Sequence, residues 1–324
     1  MIPEFIKNIL FQLENNGYQA FVVGGCVRDI LMERGDGSND WDVTTDAHPK
    51  DILEVFQKGK YNNEYGTVLL PVHDEEGSKH TIEITTFRSE SGYSDARHPD
   101  EVRFESRVDK DLHRRDFTVN ALAMKPADSP IPIPQDLQKW IYSRDGYYII
   151  DFFGGQKDIR EKVIRAVGEP RDRFKEDALR MIRAIRFACQ LDFSVEPKTE
   201  RAIQKMSGSL KFIAQERIRD ELIKILSSDR AYKGVMLLHK DKLLQYLNKN
   251  SIIKGLYVYH NTILLTAEIG EYKFINKRFI LYGIIGLSGM TIDFLVFTVF
   301  VKDAVYSVFF INSRLYFKSL ILNF

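Results

Sequence analysis

Two carboxylates, Asp40 and Asp42, stand one residue apart downstream of a Gly24-Gly25 pair. If Trp41-Asp42-Val43 is a strand, its side chains alternate with period two and both carboxylates face one way. Convergent carboxylates near a phosphate-gripping turn are what a pair of Mg²⁺ ions needs for phosphoryl chemistry. The Gly-Gly turn follows a short apolar strand candidate at 20–23 and precedes a helix candidate at 27–32. Glycine lets backbone N–H groups come close to a phosphate, and the helix N-terminus adds a favourable dipole. Arg28 adds a cation that can pair with the same phosphate.

Three further groups of residues could join this chemistry. Glu83, on a later strand candidate, could be a third metal carboxylate, but it reads better as an ordinary strand residue. The run from Asp111 to Ala123 includes Arg114, Arg115, Asp116 and Asn120 and is dense in phosphate and ribose ligands. Arginine offers a rigid, permanently charged fork for phosphate oxygens. Asp116 and Asn120, four apart on an expected helix at 112–124, could hydrogen-bond a ribose hydroxyl; a surface ion-pair cluster is the structural alternative. In Glu176-Asp177-Ala-Leu-Arg180-Met-Ile-Arg183-Ala-Ile-Arg186-Phe187, arginines recur every third residue after an acidic pair. Asp177 and Arg180 could present an acceptor and donors to a base edge, with Arg183 and Arg186 continuing toward phosphates. The alternative is a helix laced by i,i+3 salt links.

The elements that must position these groups read as two regimes. Up to about residue 150 short helix and strand candidates mix, with strands expected at 20–23, 41–43, 67–72, 81–87 and 102–104 and a four-proline break at 126–134. From about Asp151 onward the pattern is helical, with helices expected at 158–164, 172–190, 198–206 and 215–227. This is an α+β unit followed by helices, not an alternating βαβ chain. The formal charge of +1 announces no global polycation. A local excess lies at 156–224, with 17 Lys/Arg against 12 Asp/Glu, and suits a polyanionic partner. Two cysteines, Cys26 and Cys189, make neither a disulfide framework nor a metal site, so a reducing, cytoplasmic setting is expected. No signal peptide is read at the N-terminus. Residues 279–301 carry one charge, Asp293, in 23 residues, a length that can span a bilayer.

Taken together, these blocks resemble the class II tRNA nucleotidyltransferases, the CCA-adding enzymes and their poly(A) polymerase relatives. The resemblance covers about residues 18–226. It rests on Gly-Gly-x-Val-Arg-Asp at 24–29, Asp-x-Asp at 40–42, Tyr93-x-Asp95-x-Arg97-x-Pro99, and Arg-Arg-Asp-Phe-Thr-Val-Asn-Ala at 114–121. It continues in the linker at 151–159, the Glu-Asp-x-x-Arg-x-x-Arg-x-x-Arg-Phe block at 176–187, and Glu216-Arg-Ile-Arg-Asp-Glu-Leu222. The family implies template-free addition of C and A to a tRNA 3′ end from CTP and ATP. By that resemblance Asp40 and Asp42 hold the metals, Gly25 and Arg28 belong to the phosphate turn, and Arg115 assists with the triphosphate. Asp116 and Asn120 suit the ribose, Asp177 and Arg180 the base edge, with Arg183 and Arg186 nearby on the nucleotide. The segment from Tyr93 to Pro99 resembles the family's flexible element for switching from C to A.

The resemblance implies a catalytic head at 1–145, a helical neck for base recognition and RNA binding at 146–226, and a partial helical body at 227–276. An atypical hydrophobic tail follows at 277–324. Residues 277–297 resemble instead the first membrane helix of GtrA-type proteins, which makes 279–301 a candidate membrane contact. The chain departs from the family pattern in a longer stretch between Arg28 and Asp40, where Glu33 replaces a customary glycine. The alternatives within and beyond the class are a poly(A) polymerase, a partial CC- or A-adding enzyme, and a membrane-tethered or defective RNA-binding relative.

Overall fold

The structure is a computed structural model that describes residues 1–34, 41–63, 65–93 and 100–247, together with six strands between 255 and 320. It divides into two units. The first is Met1–Asp177 with Ser194–Thr199, and the second is Ala178–Phe193 with the rest from Glu200.

In the first unit, helix α1 (Glu4–Asn15) leads into strand β1 (Ala20–Val23), helix α2 (Gly25–Leu31) and strand β2 (Asp42–Thr45). Helix α3 (Pro49–Val55) and strands β3 (Lys60–Asn63), β4 (Thr67–His73) and β5 (Lys79–Thr86) follow. A hairpin of β6 (Arg88–Ser91) and β7 (Glu101–Phe104) precedes helix α4 (Val108–His113). Strands β8 (Ala123–Pro126), β9 (Ile141–Arg144) and β10 (Tyr147–Ile150) complete an eight-stranded mixed sheet in the order β3-β4-β5-β2-β1-β8-β10-β9.

The strand β1 lies near the middle of this sheet, antiparallel to both β2 and β8, and all four of its residues are buried. Its apolar run without polar alternation is what a strand covered on both faces requires. Register then sets the chemistry. Ile150 pairs with Ala123, Ala123 with Val23, Val23 with Asp42, and Asp42 with Glu83. Residues directly opposite share a sheet face, so one cross-strand row turns from apolar to acidic at β2. The apolar end belongs to a cluster of Phe21, Val23, Phe87, Leu112 and Ile150. Burying each large side chain of that kind contributes about 1.5–3 kcal/mol.

The expected helix at 112–124 is not one helix. Residues 118–120 make a single 3-10 turn, and β8 begins at Ala123. The Asp116 carboxylate accepts from the backbone N–H of Phe117 at 2.8 Å. Such a local bond competes with helix continuation, and the β-branched Thr118 and Val119 favour the break. The expected helix at 158–164 begins earlier, as α5 (Gly155–Glu161), and Lys162 ends it in a left-handed conformation. Asp151 caps α5, accepting from the backbone N–H groups of Gly155 at 2.8 Å and Gln156 at 2.9 Å. Asp158 in turn accepts from Thr118 Oγ1 at 2.6 Å and from Arg165. These bonds fasten 151–165 to the first unit, which therefore extends well past residue 145 and through α6 (Pro170–Glu176).

The expected helix at 172–190 is also divided. Asp177, a weak helix former, takes an extended conformation (φ −146°, ψ 107°), and α7 (Leu179–Gln190) starts in the second unit. There α7 packs with α9 (Gln215–Leu226) and α10 (Ala231–Lys240), after the intervening α8 (Pro197–Met206). Gly234 on α10 is a close-approach site: a Cβ there would lie 2.5 Å from Ile225 Cγ2 and 3.2 Å from Cys189 Sγ. Cys189 and, in the first unit, Cys26 are free buried thiols.

In the tail, six strands form an antiparallel sheet in sequence order from Gly255–Tyr259 to Arg314–Leu320. The segment expected to be a membrane helix contains two of them, Phe279–Ile285 and Leu295–Val301. Its β-branched and aromatic composition favours strands. Among the described residues no helix is long and apolar enough to cross a membrane, and the GtrA-like reading and membrane contact at 279–301 have no support in the structure.

Two buried ionisable groups make the fold testable. Lys125 on β8 is fully buried, donating to Glu14 on α1 and to the Ile131 carbonyl at 2.8 Å, and Glu14 also accepts from Ser129. Burial lowers the Lys125 pKa against the pull of Glu14. Lys125→Met strands the Glu14 carboxylate, and urea unfolding of this variant is expected to show a loss of about 3–5 kcal/mol. In the second unit, burial pushes the Asp241 carboxyl up to about 6, and its Oδ2 has no hydrogen-bond partner among the described residues. A folded pKa above the unfolded value means the folded protein retains a proton that the unfolded chain has released. Stability from this group is therefore lost as pH rises from the ordinary value of 3.8 through about 6. Asp241→Asn should raise the thermal midpoint at pH 7.5, with the gain shrinking toward pH 4; a gain independent of pH would contradict this.

Candidate active site

The site begins where β1 stops. Gly24 follows Val23 with φ +85° and ψ −138°, a conformation that L side chains rarely adopt. It is also crowded: a Cβ there would sit 2.9 Å from Arg115 Nη1 and 3.5 Å from Asp42 Oδ2. A carboxylate from β2 and a guanidinium from the segment after α4 thus converge on the same glycine. Asp42 is half-buried, and Glu83 on β5 stands beside it at the strand spacing of about 4.8 Å. The structure therefore places Glu83, read from sequence as an ordinary strand residue, next to the acidic site. Asp40 lies outside the described residues, as do Asp95, Arg97 and Pro99.

On the other side of the turn, Arg28 extends from α2 with only 8% of its surface exposed. Its Nε and Nη2 donate to the two carboxylate oxygens of Asp29 at 3.0 and 2.9 Å. Its Nη1 donates to Asn120 Oδ1 at 2.6 Å, and Asn120 Nδ2 donates to Asp116 Oδ1 at 3.2 Å. Arg28, Asn120 and Asp116 are therefore one buried hydrogen-bonded chain. The 3-10 turn carrying Asn120 is held by Gly155, where a Cβ would come 2.3 Å from the Thr118 carbonyl oxygen. The linker at 151–159 acts as the brace of this turn.

Arg115 is supported from below. Asp111, fully buried on α4, accepts from Arg114 Nε at 2.9 Å and Nη2 at 2.7 Å, and from Arg115 Nη2 at 3.5 Å. Burial opposes ionisation of Asp111, but Arg114 and Arg115 outweigh it and hold the carboxyl below its ordinary value. Arg115 Nε is buried with no hydrogen-bond partner among the described residues. An orphaned guanidinium donor beside a glycine turn fits an anionic oxygen. Cys26, on the first turn of α2, is not a nucleophile: burial pushes its thiol up to about 12.

Asp177 closes the first unit, whereas Arg180, Arg183 and Arg186 lie on α7 of the second. Arg186 is buried, with Nη1 donating to Glu221 Oε1 at 3.3 Å and Nε 3.1 Å from Oε2, and its guanidinium lies over the Phe187 ring. Arg183 Nη1 is 4.0 Å from the same Glu221. The sequence reading that carried this row toward phosphates missed Glu221, although the Glu216–Leu222 block holds it.

Residues 20–165 match the model of the poly(A) polymerase head domain, and residues 192–251 match the probable RNA- and SrmB-binding site of polymerase A. The chain belongs to the CCA-adding enzyme and poly(A) polymerase family. The CCA-adding enzyme of Bacillus subtilis is 40% identical over 277 residues, covering 85% of this chain and 62% of the relative. That of Lactobacillus helveticus is 45% identical over 224 residues, covering 68% of this chain and 50% of the relative. The chain is similar to the crystal structure of the Bacillus stearothermophilus CCA-adding enzyme in complex with CTP, at TM-score 0.62 and 38% identity, over 76% of this chain and 55% of that one. It is also similar to the Thermotoga maritima CCA-adding enzyme complexed with tRNA_CCA, at TM-score 0.59 and 26% identity, over 79% of this chain and 53% of that one. The chain thus spans only half to about three fifths of the length of these curated relatives.

This family implies a divalent metal. Asp42 and its neighbour Glu83 offer the hard oxygen donors such an ion takes. Among the described residues no group of three His, Cys, Asp or Glu side chains forms a ready cluster. The turn gives the sharpest test of the site. Gly24→Ala combines an unfavourable backbone conformation with a clash against Arg115 and Asp42. Its stability, measured by urea unfolding, is expected to fall by about 1–3 kcal/mol, the cost of backbone strain of this kind.

Proposed function

We propose that this protein is a template-independent tRNA nucleotidyltransferase that adds C and A to a tRNA 3′ end from CTP and ATP. The observation that carries the reading is the meeting of Asp42 Oδ2 and Arg115 Nη1 at Gly24, with the Arg28–Asn120–Asp116 chain alongside. The CTP and tRNA named for the similar solved structures support the substrate assignment. The reaction joins the primer 3′-oxygen to the α-phosphorus of the nucleotide and breaks the bond to pyrophosphate. Asp42, with Asp40 by resemblance, would hold Mg²⁺, with Glu83 adjacent. When bound, the cation supplies charge neutralisation of the triphosphate and favours the attacking hydroxyl as a nucleophile.

The chain's own residues do the rest. Arg115 offers Nη1, the nitrogen that meets Gly24, to a phosphate oxygen. Gly25 and Arg28 line the turn, and the buried bonds of Arg28 to Asp29 and Asn120 fix its fork before the nucleotide arrives. Asp116 and Asn120 are assigned to the ribose, and Asp177 and Arg180 to the base edge. Arg183 and Arg186 support that helix through Glu221. Residues 192–251 are assigned to RNA.

The assay is incorporation of labelled CTP and ATP into tRNA lacking its 3′ end. Two C and one A followed by a stop is the expected result. Unlimited A moves the protein to poly(A) synthesis, and no incorporation despite nucleotide binding overturns the enzyme reading. In the same assay Asp42→Ala should lower transfer by about 10³-fold while leaving the unfolding midpoint in place.

A further inference from the structure

One acidic residue linked to Arg115 only through other side chains lies on the hairpin. Glu90, on β6, has a largely buried carboxylate that accepts from Arg88 Nε at 2.7 Å, from Tyr93 Oη at 2.8 Å and from Arg114 Nη1 at 3.2 Å. Arg114 presents its other two nitrogens to Asp111, and Asp111 reaches Arg115 through its second oxygen. Arg115 then stands against Gly24, and through it against Asp42. These side chains form one line of charge-assisted contacts within the first unit.

We infer that Glu90 is a positioning residue for nucleotide transfer, setting the Arg115 guanidinium through Arg114 and Asp111. This rests on the nucleotidyltransferase reading for the role of Arg115. The physical argument is one of balance. Asp111 is fully buried between two guanidinium groups and has only two oxygens to divide between them. Both Arg114 contacts go to Oδ1, which leaves Oδ2 for Arg115. That division depends on the angle of the Arg114 fork, and Glu90 holds the remaining fork nitrogen. Without the Glu90 charge, Arg114 can turn fully onto Asp111 and take both oxygens in the bidentate arrangement arginine favours. Arg115 then loses its brace. Burial opposes the ionisation of Glu90, yet Arg114 and Arg88 keep its carboxyl below the ordinary range. The residue is thus charged wherever the enzyme is folded at neutral pH.

The test is a double-mutant cycle of Glu90→Gln with Arg115→Ala, read as CTP affinity in the presence of Mg²⁺ and as kcat/KM for tRNA extension. Glu90→Gln alone is expected to lower both by about tenfold, the coupling typical of residues in one charged network. In the Arg115→Ala background the same change should alter either quantity by less than about twofold. Equal losses in both backgrounds overturn the inference, because a general weakening of the hairpin does not depend on Arg115. Ser89→Ala, which removes a 2.6 Å bond to Glu105 on the same hairpin, controls for that weakening and should change neither quantity. A loss there equal to that of Glu90→Gln also overturns it. If Glu90→Gln lowers the unfolding midpoint, Arg114→Lys, which keeps the charge but not the fork, takes its place in the cycle under the same criteria. The affinity arm needs no RNA, so a wild-type protein that binds CTP without extending tRNA refutes the transfer reading and leaves this inference to the binding cycle.

Discussion

The register of β2 between β1 and β5 is the constraint on which the rest of the head depends. With Val23 opposite Asp42 and Asp42 opposite Glu83, the carboxylates occupy the continuation of a row that elsewhere is core. A slip of one residue would turn Asp42 to the other face and bring an apolar side chain to the turn. The four buried residues of β1 prevent that slip, because both faces of the strand are packed. The hydrophobic core thus acts as the alignment device for the acidic row, and the glycine that follows β1 lets Asp42 and Arg115 approach the same turn.

A second constraint follows from gathering four arginines within the first unit. Arg28, Arg88, Arg114 and Arg115 would repel one another and lose solvation if left alone. Each has a carboxylate or carbonyl acceptor from the same unit: Asp29, Glu90, Asp111 or the Tyr65 carbonyl. Pairing holds the side chains in defined rotamers, and Arg115, whose Nε has no hydrogen-bond partner among the described residues, sets its Nη1 beside the turn. The same principle operates differently on α7, where Glu221 gathers Arg186, Arg183 and Lys224. There the pairing stabilises the helix packing of the second unit.

Much of this was legible in the chain. The Gly24-Gly25 turn, the position of Asp42 on a strand, Arg28 and the Arg114–Asn120 block were all marked by residue type and spacing. The α+β class followed from short mixed elements giving way to helical periods. Helix boundaries were less legible. Asp116 bonds its neighbour's backbone N–H and ends a pattern that periodicity alone would continue to Met124. The apolar tail misled for a related reason: length and hydropathy count carbon atoms, whereas β-branched and aromatic residues also satisfy a strand. Asp40 and the 94–99 segment lie outside the described residues, so the expectation of a paired Asp40 and Asp42 stands on sequence and resemblance.

By itself the sequence determined which side chains carry charge, where the backbone needs glycine, and which motifs stand together in family order. Those are properties of residue type and local spacing, and both can be read along the chain. Only the tertiary structure decided the partners: Arg28 with Asn120 across 92 positions, Asp42 beside Glu83, and Glu90 against Arg114. A charged side chain has no intrinsic preference among several acceptors of the same kind. The choice is made by which strands pair and in what register, and that is settled by burial of the apolar residues between them.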